Sequence, residues 1–287
     1  MKKVCFILLC AFIMTFASAS TAYGDMGPKP SVVIDFTGLE GRTYYVTLLS
    51  ETKTTGPYSA IKESGQYDYR YKKGDKDYDI FLKFAGYNDK DGFYFLQFFQ
   101  DCTLTHQFSW TYYPPNVFKI LIYFPDTDSF ITSGVSERYA FDSYFTARVS
   151  GSEITLEKSY DYTDEIISLI IRIVLTIGAE VGIALLFGFR ERRQIHFIML
   201  VNVITQVMLN LALNIINYLS GEMAFIAFYF LLEILVFVIE AILYNLYLKR
   251  YGGRTIPKWK PGLYAFAGNA VSYLLGIGLS YWVPGIF

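Results

Sequence analysis

The stretch Ala224–Leu248, AFIAFYFLLEILVFVIEAILYNLYL, constrains this chain more than any other. A helix rises about 1.5 Å per residue and needs about 20 apolar residues to cross about 30 Å of hydrocarbon. This run is long enough and apolar on nearly every side, yet it carries Glu233 and Glu240. Three more runs downstream of residue 160 have the same character, so spans are predicted at about 166–189, 195–219, 222–248 and 262–283. The expected membrane part is residues 162–287, a four-helix transmembrane bundle.

What precedes it has another composition. Residues 1–24 read as a signal peptide: Lys2 and Lys3, an apolar core over Val4–Ala17, then small residues at Ala17-Ser18-Ala19 or Ser20-Thr21-Ala22 for cleavage. Residues 25–161 then form an exported domain, with 14 Lys and Arg against 19 Asp and Glu, a net charge of −5. Such a mildly acidic surface has no basic footprint for nucleic acid. Cys102 is the one cysteine left after removal of the leader, so no internal disulfide is available. A buried, inert thiol is the expected role for it.

Short runs rich in Val, Ile, Tyr and Phe predict strands near 31–36, 43–49, 79–84, 93–99, 108–112, 118–124, 140–149 and 154–158. Asp91-Gly92 reads as a hairpin turn between two of them. No sustained helical period is evident before residue 160, so the expected fold is an antiparallel β-sandwich. Asn88–Gly92 resembles a calcium loop only in part, because Tyr87 and Phe98 stand where oxygen ligands are needed. A solvated turn is the expected reading there. His106 has no triad partner at a recognisable spacing. Trp110, Tyr112 and Tyr113 are candidates for an aromatic groove that stacks on a ligand, against the alternative that they are core and sheet edge.

Loop charges orient the spans. Arg190–Arg193 and Lys249–Lys260 are basic, whereas the Ser220-Gly221-Glu222 turn has no Lys or Arg. Basic loops stay in the cytoplasm, which places the β-domain and the C-terminus outside a cell membrane crossed several times. The short connection at 159–164 keeps that domain close to the bilayer and favours contact with the helices. In the last span Gly268, Ser272, Gly276 and Ser280 recur four apart, a stripe that lets another helix backbone approach.

Polar groups inside the spans are the candidate site. Ser168, Arg172, Thr176 and Glu180 share one helical face, and Asn202, Thr205, Gln206 and Asn210 share another. Depth counted from each span's start predicts that Glu180, Asn202, Gln206 and Glu233 converge, with Glu240 one layer nearer the cytoplasm and Arg172 nearer the outside. Such groups turn away from lipid. They are open to three roles: interhelical hydrogen bonding, cation or proton binding, or metal-dependent catalysis. The last would want histidines at mid-depth, where none stands, so no metal is expected.

Glu180, the Asn202-Val203-Ile204-Thr205-Gln206 element and the pair Glu233 and Glu240 resemble a family of bacterial multi-pass membrane proteins with a membrane Glu, an Asn-x-x-Thr-(His/Gln) element and paired glutamates. The resemblance covers about 180–248, and Gln206 stands where some members carry His. It implies that these polar residues belong together, and no established activity.

The expected function is a non-enzymatic membrane protein whose exported β-domain binds or senses a ligand or protein partner at the cell surface. The alternative is a small transporter or ion-coupled unit using the intramembrane carboxylates. No catalytic constellation is recognisable, and no nucleotide-binding G-x-x-x-x-G-K-[ST] or other cofactor signature is present. Expected partners are membrane lipid, an extracellular ligand, and a second copy or another membrane subunit.

Overall fold

The computed structural model describes residues 27–61, 69–248, 250 and 256–280. The signal-peptide reading of 1–24, most of the second basic loop and the chain end at 281–287 lie outside these residues. The chain runs through β1 (Ser31–Thr37), β2 (Tyr45–Ser50), β3 (Thr54–Thr55), β4 (Tyr58–Ser59) and helix α1 (Tyr78–Ala85). Then come β5 (Tyr94–Phe95), β6 (Gln100–Asp101), β7 (Gln107–Trp110), β8 (Val117–Phe124), β9 (Ser129–Thr132), β10 (Ser136–Glu137), β11 (Asp142–Ser150) and β12 (Glu153–Lys158). Helices α2 (Thr163–Leu186), α3 (Arg192–Ser220), α4 (Glu222–Tyr247) and α5 (Lys260–Ser280) complete it.

Two sheets share one core. The first has the order β12-β11-β1-β7, and the second is built on β8 and β2 with short strands on both flanks. Val32, Ile34, Trp110 and Phe145 from the first meet Val46 and Ile120 from the second. Strand β11 alternates buried and more exposed residues along its length, as a strand with one covered face must. Strand β8 does not alternate: seven of its eight residues are buried. A strand reads this way when both faces are covered. Helix α1 supplies the second cover, packing Phe81 and Phe84 against Leu49, Leu121 and Tyr123.

Two expectations are corrected here. Residues 79–84 are helix, not strand. Tyr78, Phe81 and Phe84 recur every three residues, which gathers the rings on one helical face, and the outer face of the second sheet needs that face as a lid. The sandwich is also not antiparallel throughout. β1 lies parallel to β11 and antiparallel to β7, with Ile34 opposite both Phe145 and Phe108. A parallel pair needs a long crossover, and the whole intervening domain provides it.

The turn around Asp91-Gly92 joins α1 to β5 and is not a hairpin. Nor is it simply solvated. The Asp89 side chain is 2% exposed and accepts the main-chain N–H groups of Asp91 at 3.0 Å and Phe93 at 3.3 Å. The buried Lys119 ammonium donates to Asp89 Oδ2 at 2.9 Å and also to Asp91. A lysine therefore occupies the position at which a bound cation was considered. Burial opposes the charge on Lys119, but its hydrogen bonds to Asp91 and Asp89 outweigh that and hold the ammonium above the ordinary lysine range.

Among the described residues there are five helices, because α1 belongs to the β half. Three, at Glu165–Leu186, Arg192–Ser220 and Glu222–Tyr247, are long and apolar enough to cross a membrane. Helix α5 packs along α2 and α4. The helical half is built inside out. Arg172, Glu180, Asn202 and Glu240 are buried, whereas Ile170, Leu186, Met208 and Leu274 are exposed. In water that distribution would strand polar groups inside and leave a greasy exterior; in hydrocarbon it is the stable one.

The two halves touch. The last carbonyls of a helix have no intrahelical partner. Here the Tyr218 carbonyl of α3 accepts the Phe141 N–H of the β half at 2.8 Å. Gly221, at φ +79°, turns the chain from α3 into α4 directly beneath the Phe141 ring.

Candidate functional site

On α2 the spacing of four residues stacks Ser168, Arg172, Thr176 and Glu180 on one face, and all four are buried. Asn202, Thr205, Gln206 and Asn210 of α3 are buried as well. Helix α4 adds Glu240 and Tyr244, and α5 adds Tyr264 and Asn269. These side chains form two layers.

In the inner layer, nearer the Arg190–Arg193 loop, Glu240 is fully satisfied. Its Oε1 accepts Thr205 Oγ1 at 2.7 Å and its Oε2 accepts Asn269 Nδ2 at 2.7 Å. Asn202 Nδ2 donates to the Tyr244 hydroxyl at 3.0 Å and to the Ile198 carbonyl at 3.1 Å. The Tyr264 hydroxyl donates to the main-chain carbonyl of Glu180 at 3.4 Å.

Glu180 differs from Glu240. It is 1% exposed, and neither carboxylate oxygen has a donor in hydrogen-bonding geometry, although the Asn202 and Tyr264 side chains stand beside it. The neighbouring Asn202 Oδ1 is also buried without a donor. Turning the Asn202 amide over would offer Glu180 a donor but set the amide oxygen against the Ile198 carbonyl. Gly268 makes the space: a Cβ there would stand 3.4 Å from Glu180 Oε2. A buried carboxylate with no donor is among the costlier arrangements a protein holds.

The outer layer centres on Arg172. Its Nη1 donates to Asn210 Oδ1 at 3.2 Å, and Asn210 Nδ2 donates to the Gln206 carbonyl at 2.8 Å. The guanidinium lies 5.3 Å from the centre of the Tyr229 ring, and the Tyr229 hydroxyl faces the Glu233 side chain. Glu233 is half-buried and, with Asn269, Phe230 and Phe237, lines a cleft of about 160 Å³ between α4 and α5. Gly276 comes against Arg172 and Tyr229. The small-residue stripe of α5 thus makes room for polar side chains at Gly268 and Gly276, where a close helix backbone was expected.

The geometry regroups the candidate residues. Glu180 and Asn202 meet as expected, but the carboxylate that joins them is Glu240. Glu233 and Gln206 sit in the outer layer with Arg172. The reason is the reference level. Glu180 lies six residues before the end of α2 and Glu240 seven before the end of α4, whereas Glu233 lies fourteen before it. The predicted span begins at 166, three residues inside the observed start of α2 at Thr163; from the observed helix starts Glu180 stands at seventeen residues, Glu240 at eighteen and Glu233 at eleven. Tyr244 and Tyr264 were missed. Tyr244 follows Glu240 by four residues and so shares its face, a signal present in the sequence.

The aromatic groove does not assemble. Trp110 is 0% exposed in the sandwich core, its indole N–H donating to the Tyr112 carbonyl at 2.9 Å. Tyr112 is partly buried against the same core. Tyr113 alone reaches a surface cleft, one of about 320 Å³. Cys102 is fully buried, and that burial pushes its thiol pKa well up, as an inert core thiol requires. His106 Nδ1 pairs with the Tyr44 hydroxyl at 3.0 Å, and His196 is exposed. Compared with known proteins, the chain matches no family model, no curated sequence and no solved structure.

Proposed function

We propose that this chain is a four-span membrane protein whose helices bind and pass a proton between buried carboxylates, making it a small ion-coupled unit. The observation that carries this reading is Glu180, whose two buried oxygens lack donors beside an equally donorless Asn202 Oδ1. One proton on Glu180, donated to Asn202 Oδ1, satisfies the amide oxygen and removes the uncompensated charge from the carboxyl. Glu240 stands in the same layer, and two carboxylates so placed do not both ionise without a compensating charge. Asn269 bonds Glu240 and also lines the lateral cleft that holds Glu233. The cleft therefore reaches within one side chain of Glu240, and a water entering it at Asn269 is the group that would exchange a proton with this layer. All four helices cross the bilayer in this reading, with the basic loops inside and the β half outside in a cell membrane.

The β half would act as the sensing module of the same protein. Its docking on the α3 end favours this, because a ligand-induced shift at Phe141 reaches α3 and α4 directly through Tyr218 and Gly221.

Infrared spectroscopy of the purified full chain at neutral pH should give a protonated-carboxyl band that is lost in Glu180→Gln and retained in Glu233→Gln. Proteoliposomes under an imposed potential should acidify through the wild type and at least tenfold more slowly through Glu180→Gln. A band and a flux both unchanged in Glu180→Gln would remove Glu180 from this role.

A further inference from the structure

Where the β half meets the helices, a cleft of about 510 Å³ opens that the carboxylate layers do not use. Tyr160, Tyr162 and Tyr218 wall it. Their ring centres lie 4.6 Å apart for Tyr160 and Tyr162, 5.5 Å for Tyr160 and Tyr218, and 6.5 Å for Tyr162 and Tyr218. Glu165 stands beside them and accepts the Tyr160 hydroxyl at 2.7 Å. Burial, then this carboxylate, pushes the Tyr160 phenol pKa up, which keeps it a neutral donor. Ile166, Leu169 and Ile215 continue the cleft along α2 and α3.

Three features define the ligand chemistry. The first is charge: among the described lining residues there is one carboxylate and no Lys or Arg. The second is the aromatic wall, whose π faces attract an ammonium, most strongly when it is partly desolvated. The third is position. The cleft lies at the ends of two membrane-crossing helices, at the level where headgroups and the first part of acyl chains sit. It is open there, with Tyr162 at 50% and Ile166 at 55% exposure.

The geometry points to a binding site for one bilayer lipid with a zwitterionic, ammonium-bearing headgroup, of the phosphatidylethanolamine or phosphatidylcholine type. The ammonium lies against the three tyrosines and Glu165. The Asn214 and Asn217 amides, which also line the cleft, are donors for the phosphate or ester oxygens. One acyl chain follows Ile166, Leu169 and Ile215 into the membrane. A purely anionic headgroup brings its charge to Glu165 with no Lys or Arg among the described lining residues to offset it. A second copy of this chain would supply apolar surface but no ammonium.

The test is native mass spectrometry of the full chain in a neutral maltoside, titrated with phosphatidylcholine, phosphatidylethanolamine or phosphatidylglycerol of one chain length. Either zwitterion should bind at about tenfold lower concentration than phosphatidylglycerol, as expected for one desolvated ammonium on aromatic faces. Tyr162→Ala and Glu165→Gln should each erase that preference, while Tyr162→Phe, which keeps the ring, should retain it. Tyr162 is half exposed, so its removal leaves the core packed, and an unchanged melting temperature verifies this. Equal binding of the three lipids overturns the proposal. So does a preference that survives both Tyr162→Ala and Glu165→Gln. Free tetramethylammonium competing as well as the lipid would assign the cleft to a soluble cation instead. Dimers that displace the lipid would assign it to a second copy.

Discussion

Lys119 shows how one residue replaces a bound ion. It sits under the loop with Asp89 and Asp91, 4.9 Å from the centre of the Phe93 ring, and sets its charge against both carboxylates. Lys119→Ala would leave Asp89 buried without a cation, at a cost of about 3 kcal/mol. Asp91 is 66% exposed on its side chain, so Asp91→Asn should cost about 1 kcal/mol or less. The pH dependence has a definite sign. The Asp89 carboxyl is held below its ordinary range: burial opposes this, but the Lys119 hydrogen bond and the Phe93 and Asp91 N–H groups outweigh it. A carboxylate with a lowered folded pKa contributes fully above its unfolded value near about 3.9, and that contribution is lost as pH falls through the folded value. Stability to urea, read from Trp110 fluorescence with Trp259 and Trp282 replaced by Phe, should therefore fall on acidification below about pH 4. In Asp89→Asn the starting stability should be lower and this acid dependence smaller; an identical dependence would remove Asp89 as its source.

At the scale of elements, the α3–α4 connection carries the join between the halves. Gly221 has φ +79°, and a Cβ there would come 2.6 Å from the Phe141 ring. Gly221→Ala is thus expected to destabilise for two separable reasons. The backbone term is about 1–3 kcal/mol, because φ +79° with ψ 178° is a region that essentially only glycine adopts, and the ring contact adds to it. Pairing it with Phe141→Ala should recover the steric part and leave the backbone part, which a double-mutant cycle on thermal unfolding measures. Additive effects of the two substitutions would mean that Phe141 does not press on this turn. Helix α1 makes a related point about cover. Its eight residues exist as a helix because the second sheet has an outer face to bury, through Phe81 and Phe84.

At the scale of the whole molecule, the β half and the basic Arg190–Arg193 loop stand at opposite ends of α2. If the loop is cytoplasmic, the β half is outside. A membrane-impermeant maleimide should label Ser152→Cys, on an exposed turn, in intact cells, and should label Arg192→Cys only after permeabilisation. The single described native thiol, Cys102, is buried and should not interfere. Labelling in the reverse order would invert the topology.

The amino-acid sequence by itself determined the division into a β half and an apolar helical half, and the polar face of each long helix. Both follow from local periodicity: two for strands, about 3.6 for helices, and length against bilayer thickness. Ser168, Arg172, Thr176 and Glu180 were legible as one buried stripe for that reason. What tertiary structure alone decided was which stripe meets which. The observed start of α2, three residues before the predicted one, made Glu240 rather than Glu233 level with Glu180, and the packing of α5 brought Asn269 and Tyr264 into the layer. The same holds in the β half. An aromatic run such as 78–85 suits a strand or a helix equally, and the sheet face awaiting cover selected the helix. Trp110 is core because two sheets close over it, a fact that depends on strands far apart in the chain.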